Sequence, residues 1–382
     1  MINFRTPDYS KVPTDLQQYL SQDSLLGDVA GGIAGENAGI MLHTPKLKAI
    51  VGDFTKGQYI LVGADSGVGK TTFTDEFFTF AAYKAKLQGF KVGMTYFSWE
   101  ISKRAKRAKL ASYITNVMDN NVRINANNIR GTNGAELTDA EIAMLQRASP
   151  SVNAFFDEHC NFQEQPMTPS EFNEYLNAYA LANGTFTFVD GEAVSYTPQD
   201  PSKMNVFIID HIALCDTDSG QTLKQAIDEI SKFIVQFRNM CNFTFVVVQQ
   251  FNGDMQNVFR SGNTTENSII PQRSDFGDSK YTFRDADIVI GLVKPFAFGL
   301  GSYQGYDLTI WRNNLIVAVV IKNRSGSNNR SAIMACDYCV GRFEELPPPE
   351  AFRGNRELYA KYNRADEAPN QISYVTNYST NS

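Results

Sequence analysis

The sequence predicts an α/β fold, a mostly parallel twisted sheet flanked by helices and finished by late antiparallel strands. Three observations carry that prediction. Apolar runs of strand length (YILVGA, KVGMTYFS, NVFIID, FTFVVVQQ) alternate with helix-patterned segments, as parallel strands joined by helical crossovers require. The first run opens into a glycine loop ending in Lys-Thr at a helix start, YILVGADSGVGKTTF. The later runs DADIVIGLV, LTIWRNNLIVAVVIKN and RSAIMACDYCV succeed one another as strands, the last of them expected to be antiparallel.

In chain order, residues 1–40 read as an arm and linker: a short amphipathic stretch, PTDLQQYL, then a glycine-rich run, GDVAGGIAGENAG, that reads as a flexible connector. Residues 41–346 read as one α/β domain. A helix is expected from Thr71 to about Leu87 and another after Glu100 through Ile114. Within the polar, Asn-rich stretch 118–204, ELTDAEIAMLQRA and TPSEFNEYLNAYA carry helical spacing behind Thr caps with acids in the first turn. Residues 183–203 read as an inserted hairpin or loop. Residues 347–382 read as a polar tail in which RELYAKYNRA has helical character and the last dozen residues look disordered. No internal repeat is evident.

Composition bounds the function classes. Over 382 residues, 43% hydrophobic and 20% charged content is ordinary for a globular protein able to bury a large core. No segment has the uncharged apolar length of a membrane span, and MINFRTPDYSK lacks a secretory apolar core, so no membrane association and a cytoplasmic location are expected. Five scattered cysteines fit a reducing compartment. Cys336 and Cys339 form a lone CxxC in strand-like surroundings, which favours packed or edge positions over zinc. His43, His159 and His211 are too dispersed to build a metal site. A net charge of −6 speaks against a protein coated in positive charge for nucleic acid and leaves room for a local basic channel.

Residues Ala64 to Thr71 fit the A/GxxxxGKS/T pattern of a P-loop. Glycines let backbone N–H groups turn inward on phosphates, the lysine reaches the β/γ oxygens, and the hydroxyl holds Mg²⁺. The helix that follows adds the positive end of its dipole. The nucleotide-binding set is therefore Ser66, Gly67, Val68, Gly69, Lys70, Thr71 and Thr72, with a nucleoside triphosphate and Mg²⁺ as ligands. A plain glycine turn is the bland alternative, and the flanking strand and helix argue against it. Asp210, ending the apolar run Val206 to Ile209, matches the second acid such a site needs, and Thr71 with Asp210 forms the candidate metal pair. Glu100, after VGMTYFSW, is the candidate base for an attacking water, with a helix-start acid as the competing role. FTFVVVQQ ends in Gln249 and Gln250, and a neutral amide there can sense a γ-phosphate; the residues alone do not separate the two. Lys322 and Arg324, two apart before a glycine turn, read equally as a phosphate-directed pair for a neighbouring subunit or as two solvated edge-strand cations. The run SKRAKRAKLASY places Lys103, Arg104, Lys106, Arg107 and Lys109 in one helix, where a solvated face is the default.

Together these residues resemble the motor domain of DnaB-like hexameric replicative helicases, within the RecA-like P-loop ATPases. The resemblance covers most of 39–346. It rests on VGADSGVGKTTF, FSWEIS, VFIIDHIAL, VVVQQFN, SDFGDSKYTFRDADIVIGLV and IKNRSG, in that order. It implies a hexameric ring with ATP between subunits, single-stranded DNA in the pore, and 5′ to 3′ translocation that unwinds DNA during replication. By the same resemblance Glu100 is the catalytic base, Gln250 the γ-phosphate sensor, and Lys322 and Arg324 the trans-acting finger. The loop after Ser-Asp would grip DNA through Gly277, Asp278 and Lys280, and the longer loop 253–273, with Arg260 and Arg273, is expected to face the pore. Gly277 stands where the family has Arg, and Lys280 where it has Gly. The family's primase-recruiting N-terminal domain has no counterpart here, which suggests a compact, phage-like version whose PTDLQQYL segment packs on an adjacent subunit, with a primase or loader as further partners. The rival readings are a non-motor RecA-like ATPase of recombination and a nucleotide-gated scaffold.

Overall fold

A computed structural model describes residues 8–20, 24–36, 39–132, 134, 136–252, 264–277 and 280–363. Near the N-terminus, α1 (Thr14–Gln17) precedes α2 (Leu25–Ala34). The glycine-rich run is thus mostly helix rather than a connector. Ser24 caps α2 by accepting from the Gly27 N–H, and Gly35 ends it at φ +87°. Gly31 lies close to Glu36: a Cβ there would fall 2.5 Å from the Glu36 carboxylate, which would have to swing aside. Val12, Ala30 and Ala34 form a small buried cluster against which Leu16 and Leu20 pack.

The domain proper starts with α3 (Pro45–Val51) and β1 (Tyr59–Ala64). α4 (Lys70–Thr74) continues through a π-helical turn, Asp75–Thr79, into α5 (Phe80–Leu87). β2 (Val92–Ser98) stops two residues short of Glu100, and α6 (Lys103–Met118) outruns the expected end at Ile114. α7 (Ala126–Arg130), α8 (Asp139–Ala154), β3 (Cys160–Gln163) and α9 (Pro169–Asn183) follow. Thr138 with Glu141 and Thr168 with Glu171 make reciprocal capping boxes, so both Thr-led segments start where the sequence placed them. The 183–203 insertion is a hairpin of β4 (Gly184–Val189) and β5 (Glu192–Pro198). β6 (Met204–Asp210), α10 (Leu223–Cys241) and β7 (Thr244–Gln250) complete the crossovers. After a short helix, Lys280–Asp285, come β8 (Ile288–Val293), the small pair β9 (Ser302–Tyr303) and β10 (Tyr306–Asp307), then β11 (Leu315–Asn323), β12 (Arg330–Asp337) and β13 (Arg342–Glu345).

The main sheet has nine strands in the order β13-β12-β11-β8-β1-β7-β6-β2-β3. Strands from β8 to β3 are parallel neighbours, while β11, β12 and β13 pair antiparallel, as expected. Each face carries its own core. Ile60, Val62, Val246 and Ile208 meet Phe73 and Phe77 of the helix behind the glycine loop, whereas Tyr59, Leu61, Val247 and Phe245 meet Ile227, Ile230, Ile234 and Phe237 of α10. Each such fully buried aromatic or branched side chain contributes about 2 kcal/mol of transfer free energy. The chain 349–362 is held to the body, because Phe352 stacks edge-on to Trp311 at 5.1 Å and Tyr359 packs at 5.5 Å. Its helix is Arg356–Tyr362, and the terminal dozen residues lie outside the described ones. Cys336 is buried in β12 and Cys339 is half-buried beyond it. Among the described residues no cluster of three or more His, Cys, Asp or Glu side chains is arranged to hold a metal, and no helix is long and apolar enough to cross a membrane.

Candidate functional site

The C-terminal edge of the parallel strands collects the predicted chemistry. The glycine loop leaves β1 at Ala64 and enters α4 at Lys70. Gly67 (φ +74°) and Gly69 (φ +109°) adopt left-handed backbone that a Cβ would strain, which is what turns the loop back on itself. Ser66 and Gly67 are exposed, Val68 is buried, and Thr71 and Thr72 are half-buried on the first turn. The Lys70 ammonium donates to the Asp65 carbonyl at 3.0 Å, lying across the loop. Burial pulls its pKa down, and Glu100, Asp210 and Asp65 oppose that pull. Two residues the sequence reading missed brace the loop from outside. Lys294 Nζ donates to the Gly67 carbonyl at 2.7 Å, the Tyr338 hydroxyl to that of Val68 at 2.9 Å, and the ammonium sits 4.4 Å above the Tyr338 ring.

Asp210 ends β6 beside this loop. The Thr71 hydroxyl donates to its Oδ1 at 3.2 Å, so the two predicted metal residues meet. These are hard oxygen donors, one of them a buried carboxylate, and they match the ligand chemistry of Mg²⁺. The Trp99 N–H donates to the Asp210 carbonyl at 3.0 Å, which brings the next residue, Glu100, alongside. Half of the Glu100 side chain remains exposed, and its Oε2 lies 3.9 Å from His211 Nε2. Desolvation lowers the His211 pKa against the pull of Glu100 and Asp210, favouring a neutral imidazole.

Strand β7 resolves the two amides that the sequence could not separate. Gln249 points to the α10 face, buried, donating to the Phe276 carbonyl at 2.6 Å and accepting from the Thr282 hydroxyl at 2.7 Å. Gln250 falls on the other face, that of Val246 and the α4 helix, at the exposed strand end paired with Ala64.

Lys322 and Arg324 sit at the opposite edge. Lys322 Nζ caps the helix Lys280–Asp285, donating to the carbonyls of Phe283, Arg284 and Ala286 at 3.1, 2.7 and 2.6 Å. Its pKa is pushed down to about 8, chiefly by burial and then by Arg324. Arg324 is half-exposed and donates to Asp287 Oδ1 at 3.0 Å and to the Arg284 carbonyl at 3.1 Å. Asp287 also accepts from the Tyr59 N–H, at the start of β1. The five residue steps from Tyr59 to Ala64 at about 3.3 Å each put this pair roughly 17 Å from its own glycine loop.

Of the expected DNA-contacting residues, Arg273 is exposed in a 3-10 turn, Arg273–Phe276, with its guanidinium 5.8 Å from the Phe283 ring. Gly277 closes that turn at φ +71°. Asn252 ties the turn to the end of β7, its N–H donating to the Asp275 carbonyl at 2.7 Å. Arg260, Asp278 and the side chain of Lys280 lie outside the described residues.

The charge run after Glu100 needs a correction. Lys106 is fully buried, and its ammonium contacts Asp75 Oδ1 and Oδ2 at 3.0 and 2.9 Å and the Tyr96 hydroxyl at 2.7 Å. Position 106 shares a helical face with buried Leu110 and Tyr113, at i+4 and i+7, and that spacing was the signal available in the sequence.

No protein-family model matches the chain, and no curated protein does. Solved structures do share its fold. One is an ATPase domain, 15% identical, with a TM-score of 0.59, matching over 79% of this chain and 89% of that one. Another is a DnaB-like replicative helicase described with its primase interactions, also 15% identical at a TM-score of 0.59, over 80% of this chain; the match spans only 61% of that protein's length. The fold is that of DnaB-like helicase ATPase domains, the RecA-like P-loop arrangement expected from the sequence.

Proposed function

We propose that the chain is the motor of an ATP-dependent DNA helicase that hydrolyses ATP at subunit interfaces of a ring and translocates on single-stranded DNA. The observation that carries the reading is the meeting of Thr71, Asp210 and Glu100 beside the glycine loop, while Arg324 lies at the far edge of the same sheet. The loop N–H groups and Lys70 would hold the β- and γ-phosphates. Thr71 and Asp210 would hold Mg²⁺, which when bound supplies positive charge to the phosphate oxygens. Glu100 orients the attacking water and accepts its proton, His211 flanks that carboxylate, and Gln250, at the end of the neighbouring strand, would register the γ-phosphate. Arg324 is too distant to serve its own site, so its charge stabilises the transition state in the next subunit.

Such contacts are heterologous and form a ring when their rotation closes. The exposed stripe Leu25, Leu26, Val29 and Ile33 on α2 offers an apolar surface to a second copy in that assembly, while Leu16 and Leu20 of PTDLQQYL pack against Val12, Ala30 and Ala34 of their own chain. Single-stranded DNA would run past Arg273 and the turn at Gly277. The test is ATP hydrolysis by wild type and Glu100→Gln, with and without single-stranded DNA over a range of salt. Turnover that DNA stimulates, that salt weakens and that Glu100→Gln abolishes is expected. Turnover indifferent to DNA would move the reading to a non-motor ATPase.

A further inference from the structure

We infer that Lys106, acting with Asp75 and Tyr96, is a positioning group for the metal-binding carboxylate of Asp210, an inference that rests on the ATPase reading above. A lysine ammonium with no exposed surface is costly to bury unless its donors are satisfied. Here they are all filled: both oxygens of Asp75 and the Tyr96 hydroxyl accept from it, and the ammonium lies 4.3 Å from the Tyr96 ring centroid. Because Tyr96 accepts from Lys106, its own proton is directed away, to Asp210 Oδ2 at 2.9 Å, the shorter of its two acceptor contacts; Asp75 Oδ1 is at 3.3 Å. The ammonium itself stands 3.9 Å from that same Oδ2.

The two oxygens of Asp210 are therefore assigned different tasks. Oδ2 is tethered to Tyr96 within the field of Lys106, and Oδ1 is left facing the Thr71 hydroxyl, where the metal would bind. The carboxylate cannot turn about its own axis without losing a buried hydrogen bond. Outer partners of metal ligands act in this way, by fixing ligand orientation before the metal arrives. The tether reaches further. Asp75 lies one turn into the helix behind the glycine loop, Lys106 on the helix that follows Glu100, and Asp210 on β6, so one buried cluster sets the spacing of all three functional elements.

Packing alone does not require this arrangement, since replacing a buried ion pair by apolar side chains of similar size is often neutral or stabilising. That separates a positioning role from a structural one. The experiment compares wild type, Asp75→Leu/Lys106→Met and Tyr96→Phe by thermal melting, by ADP binding without metal, and by Mn²⁺ titration in the presence of ADP, followed by the EPR signal of free Mn²⁺. The double variant is expected to melt near wild type and to bind metal-free ADP normally, while its Kd for Mn²⁺ rises about tenfold or more. Tyr96→Phe, which removes one hydroxyl, should raise it about fivefold. Wild-type Mn²⁺ affinity in either folded variant overturns the proposal. If the double variant does not fold, Tyr96→Phe decides alone. A wild-type protein that binds no Mn²⁺ with ADP would instead sink the ATPase reading itself.

Discussion

Removing the Arg324 guanidinium should stop turnover while leaving the fold intact. In Arg324→Ala the lost contacts are a half-exposed ion pair with Asp287 and one hydrogen bond to the Arg284 carbonyl. An exposed pair of this kind contributes at most about 1 kcal/mol. Asp287 keeps its bonds from Arg238 and from the Tyr59 N–H, so nothing buried is left unpaired. A trans-acting arginine, by contrast, is worth on the order of 10³-fold in rate. The separation of roughly 17 Å between Arg324 and its own glycine loop, five strand residues, forbids a contribution in cis. The assay is steady-state ATP hydrolysis on single-stranded DNA by Arg324→Ala, by Glu100→Gln, and by an equal mixture of the two after reassembly. In a randomly mixed ring with head-to-tail interfaces, about one quarter of interfaces pair an intact Glu100 with an intact Arg324. The mixture should therefore recover up to about that fraction of wild-type turnover, although each variant alone is inactive. A mixture no more active than its components refutes the trans assignment.

Two further outcomes follow from buried features beside the site. Glu76, on the π-helical turn behind the glycine loop, has its pKa pushed up to about 8 by burial, from 4.5, while accepting from the Phe343 N–H. The folded state thus keeps a proton that the unfolded chain releases, so this group's stabilisation is complete below about pH 4.5 and disappears as pH rises through 8. The facing His43, lowered to about 4 mainly by its own burial, acts only below about pH 6.5, where the unfolded imidazole titrates. Between pH 6.5 and 8 wild type should accordingly lose about 2 kcal/mol more than Glu76→Gln in denaturant melts, and parallel pH profiles would contradict the assignment. Gly63→Ala should lower stability by about 1–3 kcal/mol in the same assay. Its Cβ would fall 2.4 Å from the Phe276 ring and 2.5 Å from that of Phe251, and a wild-type melt would show that these rings yield freely.

Local chemistry is why much of this protein was legible from sequence. The glycine loop must be glycine because Gly67 and Gly69 carry positive φ, the Thr-led helices start at reciprocal caps, and all-apolar runs closed by acids or amides belong to strands buried on both faces. Each signal lies within a few residues of what it specifies, and together they were enough for the parallel sheet, its antiparallel end and the Thr71–Asp210 meeting. The glycine-rich run 27–39 was misread because glycine was scored as a breaker, whereas α2 uses small residues to approach Val12 and Glu36.

What remained hidden depended on distant partners. Gln249 and Gln250 are equivalent in an all-apolar strand, and only the two separate cores show that one faces α10 and the other the glycine loop. Lys106 looked like one more solvated cation, since a lysine is buried only when acceptors stand ready. Those acceptors, Asp75 and Tyr96, come from two other elements, 31 and 10 residues away in the chain. Tyr338 reaches the Val68 carbonyl across 270 residues. Sequence by itself determined the local backbone and the set of candidate site residues, because those follow from each residue's own conformational and chemical limits. Tertiary structure decided which charge is buried, which amide faces the glycine-loop side and which arginine lies far from its own glycine loop, because each of these depends on what the fold brings alongside.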